Sequence, residues 1–309
     1  MSESKSQLCC SRFASTVKRL LPSMVSWCLL LSLSTIYFLF ICPSITKTVL
    51  IPIAHGILFY FVCTNFVLAT FMDPGKYDRA LVEEYENDQE STYYKTVEIR
   101  GTSGRMKWCQ TCQFYRPPRC SHCSICDFCI DTFDHHCPWL NNCVGRRNYR
   151  YFIQFLISVL LHMFVVFGFS FYYLSLNRDR LTELRTIMSI VLMIFIVLLT
   201  IPICGLTGFH FVLIAKGKTT NEQVTGKFKN NMNPFDDGCF SNCLQTFIAT
   251  TYPKLRRVIK KKVKQVSQKK KSRKYEVRSD QKPTVHQQNS DVETSKNKAT
   301  YKQITMTSV

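Results

Sequence analysis

The sequence predicts an α-helical polytopic membrane protein: four transmembrane helices, with a cysteine-rich cytosolic segment between spans two and three. Three observations carry that prediction. Residues 20–46, 48–72, 151–177 and 186–215 contain no Asp, Glu, Lys or Arg, and each stretch runs 25 to 30 residues. The net charge of +19, from 40 basic and 21 acidic residues, lies in the segments outside them. Eight of the 16 cysteines fall between positions 109 and 143.

A bilayer-spanning helix needs about 20 apolar residues, and helices in soluble cores seldom run so long without a charge. One such stretch can hide in a core, but four in 309 residues cannot, which excludes a purely soluble protein. The first stretch does not read as a cleavable signal peptide: it is too long, and Lys47 and the second apolar run follow without a small-residue cleavage site. Spans are expected near 24–42, 49–71, 152–174 and 187–214. Positive charge lies in the arm at 1–23 (Lys5, Arg12, Lys18, Arg19), in 73–150 and in the tail, whereas the connector of spans one and two carries only Lys47. The positive-inside rule therefore makes both termini and the middle segment cytosolic. The expected order is an arm at 1–23, spans one and two within 24–71, a linker at 72–105, a cysteine-rich region at 106–150, spans three and four within 151–215, a patch at 216–252 and a tail at 253–309.

In a cytosolic segment thiols stay reduced, so the cysteine cluster reads as metal-binding or reactive rather than as a disulfide framework. Residues 76–105 are polar and acidic and read as a loose helix or linker. From Trp108 the chain is rich in Cys, Pro, Asn and Arg and short of aliphatic residues, so it needs metal to fold. Four Cys-x-x-Cys pairs (Cys109/Cys112, Cys120/Cys123, Cys123/Cys126, Cys126/Cys129), with Cys137, Cys143, His122, His135 and His136, make eleven candidate ligands. Two closed tetrahedral zinc sites would take eight and leave three. Spacing alone does not say which three.

Asp134-His135-His136-Cys137, followed by Pro138-Trp139, resembles the DHHC cysteine-rich domain of membrane-bound protein S-acyltransferases (palmitoyltransferases). So do Arg116-Pro117-Pro118-Arg119 and Asn142-Cys143-Val144-Gly145 within the cluster. Asp73-Pro74-Gly75 after span two, Thr219-Thr220-Asn221-Glu222 after span four, and Asn233-Pro234-Phe235 with Asn242 match further motifs of that family. The resemblance implies two structural zinc ions, one on Cys109, Cys112, His122 and Cys129, the other on Cys123, Cys126, His136 and Cys143. It implies Cys137 as the acylated nucleophile, His135 as its base and Asp134 as the residue orienting that base, with Cys120 a bystander. The implied reaction moves a long-chain acyl group, palmitoyl, from acyl-CoA to cysteines of membrane-associated proteins through an acyl-Cys137 intermediate.

Elementary chemistry agrees with such roles. A free thiol has a pKa near 8.5, and a neighbouring imidazole can take its proton. An acyl chain gains about 0.8 kcal/mol per methylene removed from water, so the chain is expected among the spans, with Trp139 a candidate to shape its cavity; His162 is a second candidate, although a histidine hydrogen-bonded inside the bundle is the favoured reading of it. Arg116, Arg119, Arg146, Arg147 and Arg150 are candidates for the phosphates of the donor. Residues 254–278 hold 13 Lys or Arg and one acid and read as a surface helix on anionic lipid, with nucleic acid not expected. The ending Thr307-Ser308-Val309 has the form that PDZ grooves accept, and a DHHC subgroup ends similarly. Cys9, Cys10, Cys239 and Cys243 lie beside spans and positive charge, where S-acylation falls. Plasma membrane or Golgi is the expected residence. The competing reading is a membrane-anchored zinc module that only scaffolds partners.

Overall fold

The structure, a computed structural model, describes residues 2–45, 48–79, 93–228 and 233–248, all within the compact unit Met1–Ile259. The basic stretch 254–278 and the Thr307-Ser308-Val309 ending lie outside the described residues, as do the side chains of Cys9 and Cys10. Among the described residues, four helices are long and apolar enough to cross a membrane: Thr16–Ile45, Leu50–Phe71, Tyr149–Leu176 and Leu184–Ala215. The chain is a multi-pass membrane protein.

Span three is the axis of the bundle. Half of its most apolar window is buried, against 17–22% for the other three. Apolar side chains on the outer faces, such as Ile57, Leu198 and Ile201, are left for lipid. Span one runs as helix Ser2–Ile36, passes through a π-helical turn at Tyr37–Ile41 and ends at Cys42–Ile45. The widened turn buries Tyr37 and Ile41 against Val159, Met163 and Leu192 of the neighbouring spans. A second core joins the bundle to the cysteine-rich segment: Cys137, Leu140 and Val144 pack with Phe66, Ala69, Phe152, Ile153, Leu156 and Ile214.

The segment between spans two and three is built from short antiparallel hairpins. Strands β1 (Tyr94–Ile99) and β2 (Thr102–Cys109) pair around Arg100-Gly101, and β2 also pairs with β3 (Phe114–Tyr115). β4 (Ser121–Cys123) pairs with β5 (Phe128–Ile130), and β6 (His135–Cys137) with β7 (Asn142–Val144). The β1–β2 hairpin differs from the loose helix or linker expected over 76–105. Its two-residue turn puts Arg100 at φ 46° and Gly101 at φ 77°, the left-handed pair that closes a tight hairpin. Alternation in Thr96-Val97-Glu98-Ile99 is the sequence signal that was there to read.

Two features clamp this segment to the end of span two. Asn142 donates to the Met72 and Thr70 carbonyls at 2.9 and 3.0 Å, and Asn148 to the Ala69 carbonyl at 3.1 Å. These side chains satisfy carbonyls that a helix end leaves unpaired. Beyond the helix, Asp73-Pro74-Gly75 turns sharply, with both the Gly75 and Lys76 N–H groups donating to Asp73 Oδ1 at 3.0 Å. The Asp131 N–H then donates to the Gly75 carbonyl, and the Tyr77 N–H to that of Cys129.

Gly145 lets these strands close. A Cβ there would stand 2.6 Å from Ile130 Cγ2 and 2.7 Å from the Pro74 carbonyl oxygen, one a packed side chain and the other backbone. Gly145→Ala should therefore destabilise the docked segment by about 1–3 kcal/mol, the range for overpacking. Thermal unfolding in detergent should show a lowered midpoint; an unchanged one would mean that the approach is looser than described.

Candidate active site

The three β2–β7 hairpins share one design. Cys109, Cys123 and Cys137 recur every 14 residues, and each opens a hairpin whose fifth residue (Gln113, Asp127, Asn141) has a positive φ of 56°, 58° and 48°. The registers correspond: Trp108 faces Tyr115, His122 faces Cys129 and His136 faces Cys143. Two quartets of Cys and His result, each combining the Cys-x-x-Cys of one hairpin with the His and Cys that face one another in the next. The structure thereby divides the eleven candidates into two quartets and three others. In the third hairpin Leu140 stands where the other two carry their second cysteine, which leaves Cys137 without a knuckle partner.

The structure brings Cys109, Cys112, His122 and Cys129 together, and likewise Cys123, Cys126, His136 and Cys143, with ligand atoms within 4.8 Å of one another. His122 Nδ1 is 3.7, 3.5 and 3.8 Å from Sγ of Cys109, Cys112 and Cys129. His136 Nδ1 is 3.8, 3.4 and 3.6 Å from Sγ of Cys123, Cys126 and Cys143. A tetrahedral zinc with bonds of about 2.3 Å to sulfur and 2.0–2.1 Å to nitrogen holds such atoms about 3.6 Å apart. Each quartet could therefore hold a metal ion, and its donor set suits zinc. Cys120 is buried beside the first quartet, packed with Cys109, Cys112 and Cys129.

Cys137, His135 and Asp134 share strand β6 and the turn before it. His135 Nδ1–H donates to Asp134 Oδ2 at 2.6 Å. The Asp134 carboxylate, 2% exposed, also accepts the Thr220 N–H and the Thr220 hydroxyl, both at 2.8 Å. Burial alone would raise its pKa, but His135 and the Thr220 N–H outweigh it and hold the carboxyl below its ordinary range. Burial would likewise lower the His135 pKa, but Asp134 and the Cys137 sulfur on its other side raise it to about 9. At neutral pH this favours an imidazolium beside the sulfur, the setting that stabilises a thiolate. His136 points the other way, into the second quartet.

Thr220 is delivered by a capping box after span four. Thr219 Oγ1 accepts the Glu222 N–H, and Glu222 Oε2 accepts the Thr219 N–H. Glu222, 1% exposed, receives two hydrogen bonds from Arg119, at 2.9 and 2.8 Å, whose guanidinium lies over Phe235. A buried carboxylate needs such pairing. Gly217, at φ 57°, and Asn242, which donates to the Ala215 carbonyl at 3.2 Å, close the helix end behind it.

An apolar cavity of about 350 Å³ leads from Cys137, Trp139 and Leu140 into the bundle. Its wall follows span three from Phe152 to Val166, a rise of about 20 Å, with Phe66, Leu33 and Pro202 from the other spans. Ser34 and His162 line it too, hydrogen-bonded at 2.9 Å, and His55 meets the other nitrogen of His162 at 2.9 Å. His162 is thus both a paired bundle histidine and a lining residue. Trp139 lines the cavity while staying 56% exposed.

The arginines named for phosphate contact are largely engaged elsewhere. Arg119 pairs with Glu222, Arg146 with Asp131 and Arg147 with Asp73, while Arg150 donates to the Tyr151 hydroxyl and Arg116 to Cys109 Sγ. Sequence reasoning missed His210, which span four brings beside Asp134 and His135. A histidine within an apolar span was the available signal.

A family model of the DHHC palmitoyltransferases matches residues 102–227. The chain is 51% identical to palmitoyltransferase ZDHHC5 of Homo sapiens over 228 residues, 73% of this chain and 32% of the relative. It is 48% identical to palmitoyltransferase ZDHHC5-A of Danio rerio over 239 residues, 76% and 32% of the two chains. Palmitoyltransferase ZDHHC8B of Danio rerio is 50% identical over 237 residues, again 76% and 32%. The chain thus spans about a third of the length of these relatives. Four spans and the clustered hairpins agree with these likenesses, and residues 102–227 form a cysteine-rich domain similar to that of the DHHC palmitoyltransferases.

Proposed function

We propose that this protein is a protein S-acyltransferase that carries a long-chain acyl group, palmitoyl, from acyl-CoA to cysteine thiols of membrane-associated proteins. One observation supports this above the rest: Cys137 stands at the head of an apolar intramembrane cavity and beside a buried His135–Asp134 pair. A module that only scaffolds partners has no use for that coincidence.

In this reading Cys137 and His135 share one proton that rests on the imidazole, and the Cys137 thiolate attacks the carbonyl carbon of the donor thioester. The bond from that carbon to the coenzyme A sulfur breaks, and the leaving thiolate takes the proton from His135. An acyl-Cys137 thioester remains, its chain in the cavity. A substrate cysteine then yields its proton to His135, its sulfur attacks the acyl carbon, and Cys137 leaves as thiolate, with the proton resting on the imidazole. Asp134 keeps the free nitrogen of His135 turned toward sulfur and stabilises the imidazolium, the division of labour of Cys-His-Asp sites. Trp139 shapes the head of the acyl site. Zinc on the two quartets supplies rigidity to hairpins that have little apolar core.

The same reading puts the cysteine-rich segment and both termini in the cytosol, at the plasma membrane or Golgi, with 254–278 on anionic lipid. It extends to S-acylation of the chain itself at Cys239, exposed, and Cys243, half-buried, on the helix Cys239–Ile248 after span four.

Purified protein given labelled palmitoyl-CoA should form a hydroxylamine-labile thioester, and Cys137→Ser should abolish it with zinc content unchanged. Label persisting at the wild-type level would sink the nucleophile. Elemental analysis should return two zinc ions per chain, in Cys120→Ser as in the wild type. His135→Ala should lose acylation and keep both ions, whereas His136→Ala should lose metal; the reverse pattern would exchange base and ligand.

A further inference from the structure

His210 has no role in the acyl-transfer steps above, yet it is 2% exposed in span four. A buried ionisable side chain inside a span is costly, and its surroundings usually explain why it is kept. One of its ring nitrogens lies within 4.8 Å of both an Asp134 carboxylate oxygen and a His135 nitrogen. Its Nδ1 is hydrogen-bonded to the Tyr149 hydroxyl at 3.2 Å. Its ring meets Phe152 edge-on at 5.1 Å and stands 5.9 Å from that of His135, which Phe152 also touches, edge-on at 5.3 Å.

These contacts box in the His135 imidazole. Asp134 holds its Nδ1, Phe152 lies against its ring, and His210 closes the side toward span four. Packing alone could be done by a phenylalanine, without burying polar atoms. Instead span three spends a tyrosine hydroxyl on the imidazole of span four. The hydrogen bond between that hydroxyl and Nδ1 fixes the orientation of the imidazole and so of its dipole. That fixed dipole sits beside the carboxylate on which His135 depends.

We propose that His210, held by Tyr149, is a positioning residue for acyl transfer that keeps the Asp134–His135 pair aligned on Cys137 and ties that alignment to spans three and four. The proposal rests on the acyl-transfer reading of Cys137. It names a polar requirement at a place where only shape would otherwise be needed.

Full-length protein in detergent, with palmitoyl-CoA varied over a range of concentrations, separates the maximal rate of Cys137 acylation from the half-saturating concentration. His210→Phe keeps a ring and removes both nitrogens; it should lower the maximal rate about tenfold, the worth of roughly one hydrogen bond near a developing charge. Half-saturation and zinc content should not move. His210→Gln, which restores a polar group, should recover part of the rate, and Tyr149→Phe should lower it by a smaller factor. A wild-type rate in His210→Phe would overturn the proposal. So would a loss that appears only in the half-saturating concentration, or one that His210→Gln does not relieve, since each makes His210 a packing residue. If His210→Phe loses zinc, Tyr149→Phe decides: a lowered rate supports the proposal and a wild-type rate overturns it. Failure of the acyl-transfer reading looks different, because the wild-type protein itself would then carry no more label than Cys137→Ser.

Discussion

Asp134 is nearly inaccessible to water, and a carboxylate so placed keeps its charge only if donors replace the solvent it has lost. Three do: the Nδ1–H of His135, the N–H of Thr220 and the hydroxyl of Thr220. The first comes from the neighbouring residue, but the other two come from the capping box that follows span four. The backbone N–H of Asn221 adds a fourth link, donating to the Asp134 carbonyl. One buried charge therefore requires that the cysteine-rich segment and span four meet in a single arrangement. Arg119 and Glu222 repeat the device a few residues away, with the charges reversed in position. Breaking such a pair by removing one partner typically costs 3–5 kcal/mol, because the other is left buried and alone.

Around that hub the hairpins supply precision without a core. Three copies of a 14-residue unit each set their fifth residue in the left-handed region, which turns the strand sharply and brings its first cysteine back against its neighbours. In the first two copies the knuckle is completed by a second cysteine. In the third, Leu140 and the start of span three occupy the space, and the leading cysteine is left with an imidazole and an apolar cavity for company. A position that in the first two copies turns a cysteine into a Cys/His quartet here turns one toward the bundle.

The membrane half has a different logic. Lipid-facing residues contribute little to specificity, because they meet hydrocarbon whether or not the helices associate. Polar contacts inside the bundle settle the packing instead: His162 between Ser34 and His55, Ser189 donating to the Ser170 carbonyl, and Tyr149 with His210. Two of these three touch the cavity or the His135–Asp134 pair. The features that align the spans are thus also the ones that shape the reactive end.

The sequence by itself determined the four spans, because a run of 25 uncharged residues has few other stable fates. It also determined the pool of candidate metal ligands and the motifs that resemble those of the DHHC palmitoyltransferases, since these are local in the chain. The 14-residue repeat was equally present in it, although spacing read pair by pair did not expose it. Only the tertiary structure decided the rest. That Arg119, Arg146 and Arg147 pair with carboxylates, that residues 94–109 form a hairpin, and that an apolar cavity runs from Cys137 along span three depend on contacts between distant segments. His210 is the clearest case. In the sequence it is one histidine in an apolar run, 75 positions beyond His135, and only the packing of spans three and four brings the two imidazoles side by side.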